Sequence, residues 1–358
     1  MLAAVLYGPE DLKIEKVAIP DVGPEDLLIR VKVALTCGTD FKVWKQGYHA
    51  RMIKPPSVFG HELAGIVEVA GEAVQDRFRP GMRVVAANSA PCNACFFCLK
   101  QKANLCEDLV FNNGAYAEYA LIPGRILREN TAEIPQHLSF VDAALVEPLA
   151  CVLRGIEETG IQPGDTTVVI GCGPIGLKFI RILSRRGVRV IAVGKRPSQM
   201  KVAERMGAAA AFDISTIENP IAEVRQLTYR QFGADSVIEA VGAPATWNWA
   251  TQMVRCGGTV NLFGGCPRGT KVEFESSALH YSEITLKSSF HHTPKFVREA
   301  LETISRGEVS ADDFVTGEIA LSELPALFQH MKNRNGQLKV AVTPGTGNDR
   351  MSFLSASV

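Results

Sequence analysis

Residues 12–20 (LKIEKVAIP) and 27–35 (LLIRVKVAL) alternate apolar and polar positions, with the turn-forming stretch DVGPED between them. Period-two alternation bounded by Gly, Pro and Asp predicts short strands. The same style continues through 62–74 (ELAGIVEVAGEAV), past a turn at Pro80–Gly81–Met82, into 83–88 (RVVAAN), and a strand pair is expected around 115–121. This front part reads as mostly β, interrupted by a cysteine-rich lobe. From residue 139 the pattern changes. Residues 139–159 (SFVDAALVEPLACVLRGIEET) carry apolar positions at helical spacing and stop before Gly160. After Pro163–Gly164–Asp165 the chain reads as strand, glycine turn and helix over 166–187, then a strand at 189–194 and a helix at 197–207. Short apolar strands follow at 208–213, 235–242 and 257–265, with helices between. Alternating strand and helix predicts an α/β, doubly wound parallel sheet with helices on both faces. Two helices (294–307 and 321–333) and a strand (337–344) close the pattern, and the small polar tail 345–358 is expected to be poorly ordered.

At 358 residues the chain is long for one core, and two domains are the natural expectation. Lys+Arg and Asp+Glu are equal at 38 each, so no basic excess draws in phosphate backbones or anionic lipid. Nucleic acid and membranes are therefore not expected as partners. No apolar run approaches the ~18–20 residues of a membrane helix, and the N-terminus lacks the basic start of a signal peptide. A cytoplasmic protein is expected. In that compartment nine cysteines point to metal ligands rather than to disulfides.

Gly171–Cys172–Gly173–Pro174–Ile175–Gly176 is a G-x-G-x-x-G turn. Glycine-rich turns are common, but this one follows the apolar strand TVVI and opens a helix. Gly171 permits the tight turn, Gly173 lets backbone approach a pyrophosphate, and Gly176 lets helix and strand pack closely. Pro174 and Ile175 begin the helix whose free N–H groups favour the anion. An NAD site places Asp or Glu about 20 residues further on, against the ribose 2′-OH. Here Gly194 stands in that place and Lys195–Arg196 follow. Loss of the acid removes repulsion of a 2′-phosphate, and the two cations can bond it. NADP is the expected cofactor, with NAD possible.

Two residues separate Cys92 from Cys95 and Cys95 from Cys98, and seven separate Cys98 from Cys106. Four thiols in that pattern suit tetrahedral zinc. With all four positions filled by protein, the site is closed and structural. A second set is scattered: Cys37 in CysGlyThrAsp, His61 and Glu62 in GlyHisGlu, and Glu147 in ValGluPro. Singly, each has an ordinary alternative as a buried thiol, a core histidine or a solvated acid.

Taken together, in order and spacing, these motifs resemble the zinc-dependent medium-chain alcohol dehydrogenases, in the polyol (sorbitol-type) and threonine dehydrogenase branch. The residues that carry the resemblance are 37–40, 60–65, the four-cysteine lobe, Glu147–Pro148–Leu149 and the glycine turn; it covers essentially 1–344. It implies a mostly β, GroES-like catalytic domain over 1–150 with the zinc lobe at 92–106, and a Rossmann domain over 151–289. The chain would return to the catalytic domain over 290–358. It also implies two zinc ions, one structural and one catalytic. The catalytic ion would be held by Cys37 and His61 with a carboxylate, Glu62 or Glu147, acting directly or through a water. Glu147 stands where liver-type enzymes carry cysteine, which points to the polyol branch. A homodimer or homotetramer is implied, with 257–265 as a candidate edge strand.

The implied reaction is hydride transfer between NADP(H) and a small secondary alcohol or ketone, most simply a polyol or sugar. Zinc with an open position lowers the substrate hydroxyl's pKa, and Thr39 matches the position that receives its proton. Three residues on, many relatives carry histidine where this chain has Lys42, so the onward proton path stays open; His49 is a further candidate or a surface residue. His291 and His292, before Thr293–Pro294, are adjacent and expected to point apart. Contact with cofactor or a hydroxylated substrate is the preferred reading over a metal. Two alternatives stand: a threonine-type dehydrogenase, and a catalytically silent cofactor-binding protein on the same fold.

Overall fold

The computed structural model describes residues 1–48, 51–332 and 338–344. His49 and the tail 345–358, both singled out from the sequence, lie outside the described residues. The chain divides into two units: Met1–Leu145 with Val315–Val358, and Val146–Phe314.

The first unit is built around the strand Leu27–Leu35. Leu63–Ala70 runs antiparallel along one side of it. Its other side is shared by Tyr119–Ile122 near the start and Lys339–Thr343 near the end. Beyond Leu63–Ala70 the sheet continues through Arg83–Ala86 to Thr131–Glu133, and beyond Lys339–Thr343 to Val315–Ala320. Being flanked on both sides explains why Leu27–Leu35 buries every residue except Arg30 and Lys32. Leu2–Gly8, which the sequence pattern did not reveal, pairs with Asp11–Lys16 and Ser57–Val58 in a small separate sheet. The strand pair expected around 115–121 is one strand, Tyr119–Ile122, plus an isolated bridge from Ala117 to Ala3.

Between the sheets an aromatic cluster fixes the core. Phe328 meets Trp44, Phe59 and Tyr116 at centroid distances of 5.7, 6.1 and 6.4 Å. A buried Phe of this kind is worth about 3–5 kcal/mol against truncation to Ala. Trp44 belongs to the helix Gly38–Gln46, whose buried face is Asp40, Val43 and Trp44. That packing holds the helix start, and Cys37 with it, in a fixed place.

The second unit has six parallel strands in the order Ala210–Asp213, Arg189–Gly194, Thr166–Ile170, Ala234–Glu239, Val254–Leu262, Thr285–Lys287. Numbered within the unit this is 3-2-1-4-5-6, the dinucleotide-binding order. Thr166–Ile170 is buried at four of five positions, as a central strand should be. The expected strand at 257–265 is interior, not an edge: Thr285–Lys287 pairs with it through Thr259, Val260 and Asn261. That outer strand is three residues long and half-polar, so no periodicity marked it. The unit boundary also differs from the expected one at 290. Helix Pro294–Ser305 buries Phe296, Val297, Ala300 and Ile304 and packs against Val146–Thr159. Residues 290–314 therefore stay with the second unit, and the chain returns to the first at Val315.

Candidate functional site

Three side-chain clusters and one glycine turn carry the chemistry. Cys92, Cys95, Cys98 and Cys106 bring their sulfurs within 4.8 Å of one another. Cys95 Sγ lies 3.6 Å from Cys98 Sγ and 3.9 Å from Cys106 Sγ. A tetrahedron with metal–sulfur bonds of about 2.3 Å has edges of about 3.8 Å, so the spacing fits zinc closely. The N–H groups of Ala94 and Cys95 point at Cys92 Sγ, and that of Cys92 at Cys106 Sγ. Donors of this kind, from Glu107 and Cys98, lower the Cys95 thiol to about 6, while burial pushes Cys98 up to about 12 and raises Cys106, so a bound cation is what would hold all four as thiolates.

Cys37 caps the helix Gly38–Gln46. Its sulfur accepts from Thr39 N at 3.4 Å, and Asp40 Oδ2 accepts from Cys37 N at 3.2 Å. The reciprocal pair is a capping box. Asp40 is buried and also reaches a second segment, where its Oδ1 lies 2.8 Å from His61 Nδ1. With Nδ1 engaged, Nε2 is left for a ligand bond. Burial pulls the His61 pKa down, but the charge and hydrogen bond of Asp40 outweigh it and raise the value well above the usual one. Tyr116 Oη donates to Asp40 Oδ2 at 2.6 Å; burial, then the Asp40 charge, push that phenol well up. Glu62 is fully buried beside His61, and Lys339 Nζ donates to its two oxygens at 2.7 and 2.5 Å and to Thr36 O at 2.9 Å. Donor atoms of Cys37, His61 and Glu62 lie within 4.8 Å of one another. Thr39 sits in the first turn of the same helix, and Lys42, one turn on, is exposed.

In the second unit, Gly171 has φ +102° and donates to Val193 O at 2.7 Å. A Cβ on Gly176 would lie 1.7 Å from Gly171 O, so only glycine fits. A Cβ on Gly173 would meet nothing within 4 Å. That open space sits at the N-terminus of the helix Pro174–Arg185, where a pyrophosphate needs it. Gly194 ends its strand with Met200 Cε and Cys172 Sγ behind it, while Lys195 is exposed and Arg196 partly so. The acid opposite on the next strand, Asp213, is engaged with Ser215 N and Oγ, which lower its pKa.

Glu147 opens the helix Val146–Thr159 in the second unit and meets His291 and His292 there. His292 Nε2 lies 3.9 Å from Glu147 Oε1. The two imidazoles do not point apart: His291 has φ +67°, and the ring centroids are 4.0 Å apart. The left-handed residue turns both rings to one side.

Two family models match: the alcohol dehydrogenase GroES-like domain over residues 23–132 and the zinc-binding dehydrogenase over 174–306. The chain is 30% identical over 346 residues to Probable D-xylulose reductase A of Aspergillus clavatus, covering 94% of each chain. It belongs to the zinc-dependent medium-chain alcohol dehydrogenases. Within them it falls in the polyol branch. It is 28% identical to the sorbitol dehydrogenase of Bacillus subtilis over 352 residues, covering 96% of this chain and 97% of that one. Among solved structures, a zinc-binding dehydrogenase from Sinorhizobium meliloti bound to NADP superimposes with a TM-score of 0.87 at 32% identity, covering 96% and 99%. The enzyme is thus a zinc-dependent dehydrogenase using a nicotinamide cofactor, and the silent-protein alternative falls away. Among its described residues no helix is long and apolar enough to cross a membrane.

Sequence reasoning overlooked Asp40, Tyr116, Lys339 and Arg154 of this dehydrogenase. Asp40 was in view as the fourth residue of CysGlyThrAsp, three after Cys37, which is capping-box spacing. Lys339 was also legible in principle. A lysine inside the apolar strand Lys339–Thr343 demands a buried acid, and Glu62 is that acid.

Proposed function

We propose that the dehydrogenase oxidises a secondary hydroxyl of a polyol, or reduces the matching ketose, with NADP(H) and two zinc ions per chain. The observation that carries this reading is the convergence of Cys37, His61 and Glu62 on a supported frame. A thiol, an imidazole and a carboxylate are a donor set suited to zinc, and Asp40 leaves His61 one nitrogen for it. Zinc held there supplies Lewis acidity to the hydroxyl, or to the carbonyl in reverse. Asp40 orients His61, Lys339 holds the Glu62 carboxylate, and the Thr39 hydroxyl would accept the hydroxyl proton while giving up its own to water. Gly173 leaves room for the pyrophosphate, and Lys195 and Arg196 bond the 2′-phosphate; hydride chemistry belongs to the nicotinamide. Within the second unit, Glu147, His291 and His292 form a polar group suited to the hydroxyls of a polyol, since imidazoles both donate and accept. The four-cysteine lobe holds the second, structural zinc.

The names of the xylulose and sorbitol relatives support a polyhydroxylated substrate. The reading includes a cytoplasmic homodimer or homotetramer, with the outer strand Thr285–Lys287 as the pairing edge in place of 257–265. A panel of sorbitol, xylitol, 2-butanol and threonine, each with NADP and with NAD, tests the assignment. Polyols should give the highest kcat/KM. Threonine as the best substrate would favour the threonine-type alternative and overturn the polyol reading.

A further inference from the structure

Arg154 is a long cation with almost no exposed surface, on the helix that also carries Glu147. Its Nη1 donates to Phe290 O at 2.6 Å and to His291 O at 3.0 Å, and its Nη2 lies 3.3 Å from Glu158 Oε1. Glu158 is held in turn by Lys287 Nζ at 3.1 Å. The two carbonyls it grips flank the left-handed residue His291. A non-glycine residue in that conformation persists only where its surroundings over-determine it. Here one guanidinium bonds the carbonyls on both sides of that residue, and the Phe290 ring stacks on the His291 ring, so the effect reaches the imidazoles. The turn at His291 brings the His291 and His292 rings to 4.0 Å between centroids, tilted by 36°, and sets His292 3.9 Å from Glu147. Relaxed to an ordinary extended conformation, neighbouring side chains would diverge.

We propose that Arg154 is a positioning residue of this dehydrogenase: by gripping the carbonyls of Phe290 and His291 it holds the left-handed turn that presents both imidazoles beside Glu147. Its own polar contacts are with those carbonyls and with Glu158, so it acts through the backbone that carries the imidazoles. A lysine in its place keeps the charge but has one ammonium where a planar fork now reaches two carbonyls and Glu158. The proposal rests on the reading that the imidazole pair handles the hydroxyls of a polyol.

The test compares Arg154→Met, Arg154→Lys, His291→Ala and His292→Ala in the holoenzyme, with sorbitol and with 2-butanol as probes. Arg154→Met should lower kcat/KM for sorbitol at least tenfold, mainly through KM. The loss with 2-butanol should stay under threefold, and NADPH affinity should stay within twofold. Arg154→Lys should recover part of the loss. Arg154→Met combined with His292→Ala should cost no more than His292→Ala alone, because both remove the same presented ring. Backbone hydrogen exchange over 289–293 should quicken in Arg154→Met and less so in Arg154→Lys. Equal losses on both substrates, or multiplying losses in the double variant, would overturn the proposal and leave the polyol reading intact. Histidine variants that oxidise sorbitol as well as wild type would remove the role of the imidazoles and the proposal with it, and a wild type indifferent to sorbitol would sink the polyol reading on which both rest. If Arg154→Met fails to fold, Arg154→Lys decides: sorbitol and 2-butanol kcat/KM both at wild-type level, with unchanged exchange over 289–293, would overturn the proposal.

Discussion

Replacing Lys339 by Met should destabilise the first unit severely. Lys339 and Glu62 are both buried almost completely, and the ammonium donates to both oxygens of the carboxylate and to Thr36 O. Met fills nearly the same volume, so the loss is electrostatic. Removing one partner of a buried pair leaves the other charge without compensation and costs about 3–5 kcal/mol. For a unit of this size each kcal/mol lowers the midpoint by about 2–4 °C, so the fall should be roughly 6–20 °C. Lys339→Arg should retain most of the stability, since its fork can still meet the carboxylate. Lys339→Met with Glu62→Gln should recover a large part of the loss, because no uncompensated charge remains. Calorimetry in a Cys37→Ser background, which should keep the lobe zinc but not the ion beside Glu62, measures all three, because a zinc bound to Glu62 would itself compensate the carboxylate. A loss under about 1 kcal/mol for Lys339→Met, or a double variant no better than the single, would refute the claim that this pair is closed and mutually dependent.

Cys95→Ser should lower thermal stability and zinc content together while leaving residual turnover per folded molecule, because a closed zinc site contributes folding energy; full stability with lost activity would refute it. Arg196→Ala should weaken NADP at least about tenfold in kcat/KM, about 1.4 kcal/mol, and leave NAD nearly unchanged. Gly194→Asp should narrow that preference, and its new Cβ meets first the flexible end of Met200, which can move aside. Burial pushes the Glu239 carboxyl up against hydrogen bonds from Thr246, Gly242 and Val241. A raised folded pKa means the native state holds its proton longer, so this group's contribution is full below the ordinary value of 4.5 and lost as pH rises through the folded value. Denaturation curves across pH 4–8 should show that slope in wild type and not in Glu239→Gln.

Much of the site was legible in sequence because its chemistry is local. Four cysteines within fifteen positions must share a loop, and Gly171–Gly176 between an apolar strand and a helix admits few other geometries. What escaped depends on contacts between distant segments. Lys339 reaches Glu62 across 277 positions, and Tyr116 reaches Asp40 across 76. No periodicity encodes either. The expectation that His291 and His292 diverge follows from ordinary backbone geometry. It failed because one residue adopts φ +67°, a departure invisible in composition and supported by Arg154 from 137 positions away. The interior place of 257–265 was hidden for a different reason. The strand that covers it, Thr285–Lys287, is too short to carry a pattern.

Zinc content measured alongside turnover in Cys37→Ser and His61→Ala tests the central claim most directly. Wild type should hold about two zinc per chain, one in the closed four-cysteine lobe and one at Cys37, His61 and Glu62. Each variant should hold about one, turn over nothing above background, and bind NADPH as wild type does. Two zinc retained, or turnover at a large fraction of wild type, would contradict the account and put the catalytic metal elsewhere.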